Sequence, residues 1–166
     1  MTNNKPIDEL DARLLALLES EPRIGVLECS RRLGVARGTV QARMDKLASR
    51  GVIQGYGPRV DPAGLGFSVT AFVTLELRQA VGHGSVARSL ESVPEVLEAH
   101  TVTGAGAGDM LCRIVARTNA ELQGVIDRVL ACEGVLRAST VIALAERIGH
   151  RTLPLVAEAA GRDRRP

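Results

Sequence analysis

Residues 26–49, VLECSRRLGVARGTVQARMDKLAS, leave a chain few ways to fold. They read as two helices broken by a tight turn at Gly34-Val35-Ala36. Gly34 stands where the first helix must end in a left-handed residue, a conformation that only glycine adopts without steric cost. Ser30, four residues earlier, is small enough to let the second helix pass close by. Val40, Met44 and Leu47 fall at i, i+4 and i+7, so the second helix has one apolar stripe and leaves Arg37, Gln41, Arg43 and Lys46 off it. A short helix, a glycine turn and a second helix offering amide and guanidinium groups have the form of a helix-turn-helix suited to double-stranded DNA.

Charge placement agrees. The chain carries a net charge of +2, yet residues 31–59 hold Arg31, Arg32, Arg37, Arg43, Lys46, Arg50 and Arg59 against the single acid Asp45, a local +6. Residues 1–30 come to −3 and residues 60–166 to −1. Only the middle segment is a footprint for a polyanion. Phe67, Phe72 and Tyr56 are the only aromatic residues, which argues against single-strand binding by base stacking. Cys29, Cys112 and Cys132 form no CxxC pair and read as buried free thiols in a reducing cytosol. MTNNKPIDEL has no apolar run and Leu14–Leu18 is too short to span a bilayer, so a soluble, cytoplasmic protein without membrane contact is expected.

A length of 166 residues suits one large domain or two small ones. Asp8 is placed to cap a first helix whose apolar face is Leu10, Leu14, Leu17 and Leu18, ended by Ser20-Glu21-Pro22. Residues 52–58, VIQGYGP, form an extended piece, a candidate small wing. Asp61-Pro62 and Ala63-Gly64-Leu65-Gly66 then punctuate a hinge. Beyond it the period becomes two: Phe67, Val69, Ala71, Val73, Leu75 and Leu77 alternate with polar residues, Phe72 being the apolar exception. A helix capped by Ser85 follows, with Val86, Leu90 and Val93 inward and Pro94 as its stop. Strands are expected at residues 96–103 and 110–116. Thr118-Asn119-Ala120-Glu121 is a capping box for a helix bearing Leu122, Val125, Ile126 and Val129, ended by Gly134. A fourth strand is expected at residues 136–145. The order βαββαβ is the split βαβ of a ferredoxin-like domain. Its helices cover one sheet face, and Phe72, Val141 and Ala143 on the other suggest cover by a second copy of the chain.

The expected fold class is thus α+β, a winged helix-turn-helix domain over residues 1–58, a hinge at 59–66, and a ferredoxin-like effector and oligomerisation domain at 67–156. The tail, 157–166, reads as disordered.

In this order the pieces resemble the Lrp/AsnC (leucine-responsive, feast/famine) regulators. The residues that carry the likeness are Ile7-Asp8-Glu9-Leu10-Asp11, Arg23-Ile24, Leu33-Gly34-Val35, Thr39-Val40, Arg43-Met44, Leu47, Gly51-Val52-Ile53, Gly55-Tyr56, Val102-Thr103-Gly104, Asp109 and Arg151-Thr152-Leu153-Pro154-Leu155. The resemblance implies a dimer, with a tetramer or octamer as larger assemblies, and an amino-acid effector bound at dimer–dimer contacts by the loop Thr103, Gly104, Ala105, Gly106, Ala107, Gly108 and Asp109. Two features depart from the family: Ala36 stands where a Ser or Thr usually caps the recognition helix, and this loop is about two residues longer than the usual form.

By position Arg37, Gly38, Thr39 and Gln41 enter the major groove, while Arg43, Lys46, Arg50 and Arg59 hold phosphates. Arg43 has a rival role as an ion-pair partner of Asp45 or Glu28. In the loop, exposed glycine N–H and C=O groups suit a zwitterion, and Asp109 either meets its ammonium or caps the turn. The GxGxG string is not a dinucleotide fingerprint, because DMLCRIVA after it reads as a strand. His83, His100 and His150 show no metal spacing, and no Ser-His-Asp order or carboxylate pair emerges. No enzyme activity, metal or cofactor is expected. The alternatives are a low-specificity architectural DNA-binding protein without ligand response, and an amino-acid-sensing subunit that docks on an enzyme.

Overall fold

The computed structural model describes residues 7–78, 80–103 and 108–162. The chain divides into two units: residues up to Arg59 together with the segment from Ile148 onward, and Val60–Arg147.

In the first unit, α1 (Glu9–Ser20) starts at Asp8, which accepts from the Asp11 N–H at 2.9 Å. Asp11 returns the bond by accepting from the Asp8 N–H at 3.3 Å. The acids Glu9 and Asp11 also sit at the positive end of the helix dipole. α2 (Val26–Leu33) ends at Gly34, whose φ of 70° lies in the left-handed region. Its N–H and that of Val35 are both taken by the Ser30 carbonyl. α3 (Arg37–Ser49) follows with Ala36 as an N-cap lacking a side-chain bond. Leu14, Cys29, Val40 and Leu47 are fully buried between the three helices. Residues 52–58 form no strand, so the expected wing is an irregular segment. The Val52 and Ile53 N–H groups turn back to the Leu47 carbonyl at 2.9 and 3.2 Å, which leaves them unavailable to a ladder.

The C-terminal segment departs from expectation. α6 (Leu153–Arg162) is helical through residues expected to be disordered, and its Val156 and Ala159 pack against the α1–α3 core. Residues 148–156, expected in the second domain, are grouped with α1–α3 in one compact unit.

In the second unit a single 3-10 turn (Ala63–Leu65) precedes β1 (Val69–Leu77). There follow α4 (His83–Leu90), β2 (Val96–Thr101), β3 (Met110–Ala116), α5 (Asn119–Leu130) and β4 (Val135–Ala143). The sheet order is β2-β3-β1-β4 with every neighbouring pair antiparallel, the expected βαββαβ arrangement. Ala71, Val73 and Leu75 of β1 are fully buried in one core with Val86 and Leu90 of α4 and Leu122, Val125 and Val129 of α5. α4 begins three residues earlier than expected, capped by Gly82 in place of Ser85. Ser85 already donates its N–H to the Gly82 carbonyl within the first turn. β4 stops at Ala143, two residues short of expectation, with Thr70 as its last partner on β1. α5 ends at Leu130, ahead of Gly134, which instead precedes β4. On the sheet face away from the helices, Phe72 and Val141 are paired across β1 and β4 and are 42% and 66% exposed.

Candidate DNA-reading helix and effector loop

The apolar stripe of α3 decides what the helix shows outward. Val40 and Leu47 are buried and Met44 packs against the same core. Arg37, Gly38, Thr39 and Gln41 are consequently exposed at the N-terminal end. Gln41 donates through Nε2 to Asp45 Oδ1 at 2.9 Å, which sets its amide along the helix surface. Arg37 and Lys46 have no side-chain partner among the described residues; Lys46 and Arg50 are half-buried.

Arg43 has another role. Its guanidinium donates to Asp8 and, at 2.8 Å, to Asp11, rather than pairing with Asp45 or Glu28. Asp11 is fully buried, so its charge requires a cation, and Arg43 supplies it from 32 residues away. Burial raises the Asp8 carboxyl, but the Arg43 hydrogen bond and the Asp11 N–H lower it more, and the group lies below its ordinary value. The bonds to Asp8 and Asp11 raise Arg43 in turn. Asp11 was a missed residue. The available signal was a carboxylate on the apolar stripe of α1, at i−3 from Leu14 and i−7 from Leu18.

Other cations of the basic segment are also engaged. Arg32 pairs with Glu21 and with Glu28 at 3.0 Å, and Arg31 lies 3.7 Å from Glu28. Arg59, expected on phosphate, donates to the His150 carbonyl at 2.8 Å.

Of the expected effector loop, Gly104, Ala105, Gly106 and Ala107 lie outside the described residues. Thr103 is exposed. The return of the loop is firmly anchored. Gly108 has φ 70°, and a Cβ there would stand 2.8 Å from the Leu75 carbonyl oxygen. The Asp109 N–H donates to that oxygen at 2.7 Å, and Asp109 Oδ2 accepts from the Leu77 N–H at 2.6 Å. The Asp109 carbonyl takes the Val102 N–H at 3.0 Å and closes the stem. Asp109 is thus first an anchor between β3 and β1, with one carboxylate oxygen already engaged. The strand β3 directly after it removes the dinucleotide reading, which needs a helix there.

The three cysteines are free thiols, and burial pushes Cys112 up to about 11. Among the described residues no helix is long and apolar enough to cross a membrane.

A glycine-turn helix pair with an exposed polar N-terminal end, in a chain that also holds a βαββαβ sheet with a glycine loop between β2 and β3, defines a two-unit helix-turn-helix regulator. The chain belongs to the Lrp/AsnC family of transcriptional regulators. Residues 7–48 match the AsnC-type helix-turn-helix domain and residues 70–153 the Lrp/AsnC ligand binding domain. It is similar to HTH-type transcriptional regulator FL11 of Pyrococcus horikoshii, 30% identical over 150 residues that cover 90% of this chain and 97% of FL11. Among solved structures, AsnC of E. coli matches with a TM-score of 0.81 at 29% identity, covering 90% of this chain and 100% of AsnC. The feast or famine regulatory protein from M. tuberculosis, complexed with L-methionine, matches with a TM-score of 0.77 at 26% identity, over 87% of this chain and 97% of that one.

Proposed function

We propose that the chain is a sequence-specific regulator that binds double-stranded DNA through α3 and whose assembly or affinity responds to a small amino acid. The observation that carries the reading is the exposed set Arg37, Gly38, Thr39 and Gln41 on a helix whose opposite side is locked into a core. Arg37 and Gln41 read base edges, because the N-terminal end of a recognition helix is the part that enters the major groove. Lys46 and Arg50 steady the phosphate backbone. Arg43 is a positioning residue, since Asp8 and Asp11 occupy it.

Two copies join through the exposed sheet face carrying Phe72 and Val141, where burial of apolar area stabilises association. Such a dimer contacts half-sites about one helical turn, ~34 Å, apart or a multiple of it. Dimers assemble further into tetramers or octamers, with the amino acid held at residues 103–109 between them. The bound L-methionine of the M. tuberculosis relative supports this class of effector. No enzymatic role is assigned.

The test is binding to its own upstream DNA against random duplex, across salt, with and without a panel of amino acids. Specific binding shifted by one amino acid is the expected result. Specific binding without any shift would remove the effector from the loop. Equal, salt-steep binding to both duplexes would replace the regulator with an architectural DNA-binding protein.

A further inference from the structure

Residues 31–59 hold a single acid, Asp45, and it stands within α3 itself. Electrostatic attraction to DNA gives it no reason to be there, because a carboxylate among DNA-facing cations repels the phosphates they attract. Arg43 does not neutralise it, being turned to Asp8 and Asp11. Asp45 lies one helical turn beyond Gln41, and both side chains are exposed while Val40 and Leu47 are buried. Asp45 Oδ1 accepts from Gln41 Nε2 at 2.9 Å.

That bond decides what Gln41 can offer. A primary amide has two N–H donors and one carbonyl acceptor. Asp45 takes one donor and leaves the other N–H and Oε1 for a base. In the major groove adenine presents an acceptor beside a donor, the complement of that pair. Guanine offers two acceptors, thymine one acceptor and cytosine one donor, so none of them satisfies both amide groups. The terminal torsion of an untethered glutamine is broad, so its donor and acceptor have no fixed order. A tethered amide also loses less freedom when DNA arrives.

The same bond recurs on α5, where Gln123 Nε2 donates to Asp127 Oδ1 at 3.0 Å. Glutamine–aspartate pairs four residues apart are ordinary small supports of a helix surface. The pair on α3 differs in its place, on the helix that exposes Arg37, Gly38 and Thr39, and in its charge, alone among the cations of its segment. A carboxylate that repels every duplex while orienting one base-reading group exchanges affinity for discrimination.

We propose that Asp45 sets the specificity of α3: it is a positioning residue that holds the Gln41 amide for an adenine, and its charge keeps binding to random sequence weak. The inference rests on the proposed binding of DNA by α3.

The experiment is selection of sites from a pool of random duplexes by the full chain, followed by affinities for the selected site and its single-base variants. Wild type is expected to select an adenine at one position of each half-site and to lose about fivefold or more in affinity when it is replaced. Asp45→Ala is expected to abolish that preference and to bind random duplex about threefold more tightly. Asp45→Asn keeps an acceptor for Gln41 but drops the charge, so it should retain the preference and still gain on random duplex. In a Gln41→Ala background, Asp45→Ala should change only the affinity for random duplex. Asp127→Ala, which removes the matching bond on α5, should change neither. These are exposed positions, and each variant is expected to unfold at the wild-type urea midpoint; Asp45→Ser takes the place of Asp45→Ala should that variant not fold. The inference is overturned if Asp45→Ala keeps the adenine preference, if Asp45→Asn loses it, or if Asp127→Ala behaves like Asp45→Ala. In those cases wild type still selects a site, and only the role of Asp45 falls. Wild-type protein that selects no site from the pool would instead remove sequence reading by α3, and this inference with it.

Discussion

The guanidinium of Arg43 and the buried carboxylate of Asp11 stand 2.8 Å apart, and this pair fastens the recognition helix to the first turn of α1. Asp11 is fully buried, so removing Arg43 leaves a charge with neither water nor a cation. Arg43→Ala is expected to cost about 2–4 kcal/mol, between the values for an unsatisfied buried polar group and a broken buried pair. Arg43→Leu combined with Asp11→Leu is expected to recover much of that loss, because no orphaned charge remains. Urea unfolding of the single and double variants measures both. Equal destabilisation of the two would show that packing rather than charge holds α3 to α1.

Acid should act on the same corner. The Asp8 carboxyl is depressed in the folded protein, so the unfolded chain takes up its proton first as pH falls. Its contribution is therefore fully present above the unfolded value of 3.8 and is lost as pH drops through the lower folded value. Wild-type stability should fall more steeply across this acid range than that of Asp8→Asn. Parallel stability–pH curves for the two proteins would contradict it.

The exposed face of α3 should divide into readers and holders. Gln41→Ala is expected to relax discrimination at one base position by about 1–3 kcal/mol. Lys46→Ala should weaken all duplexes alike and reduce the salt slope by about one unit. Binding to a panel of single-base operator variants across salt separates the two. A uniform loss for Gln41→Ala would take that residue out of base readout.

At the loop, Gly108→Ala would force a Cβ to 2.8 Å from the Leu75 carbonyl oxygen, at a φ of 70°. A cost of about 1–3 kcal/mol is expected from the unfavourable backbone conformation alone. The variant should also lose any amino-acid response while keeping helical-unit stability. Thermal unfolding followed with and without the effector panel checks both halves, and an unaltered response would detach the loop stem from effector binding.

The helix-turn-helix was legible because its signals are local. Gly34 must be left-handed, and the spacing of Val40, Met44 and Leu47 separates the inner from the outer side of α3. β1 was equally open to reading, since alternation from Val69 to Leu77 leaves one register with a buried face. What escaped was long-range. Nothing adjacent to Arg43 names Asp8 and Asp11 as its partners, though a charged residue among the leucines of α1 was a clue. α6 escaped for another reason. Its alanines give a weak periodic signal, and Pro154 with Gly161 argues against a helix until a core is available to receive Val156 and Ala159.

The return of the chain to the helical unit also orders events during synthesis. Roughly 100 residues separate the end of α3 from the start of α6, which at a ribosomal rate of about 5–20 residues per second is a wait of seconds. The helices α1 to α3 emerge first and stay without α6, which packs on α1, until the whole sheet has been made. A nascent chain therefore carries α3 before it carries α6, and the core of the helical unit receives Val156 and Ala159 only after the sheet has been made.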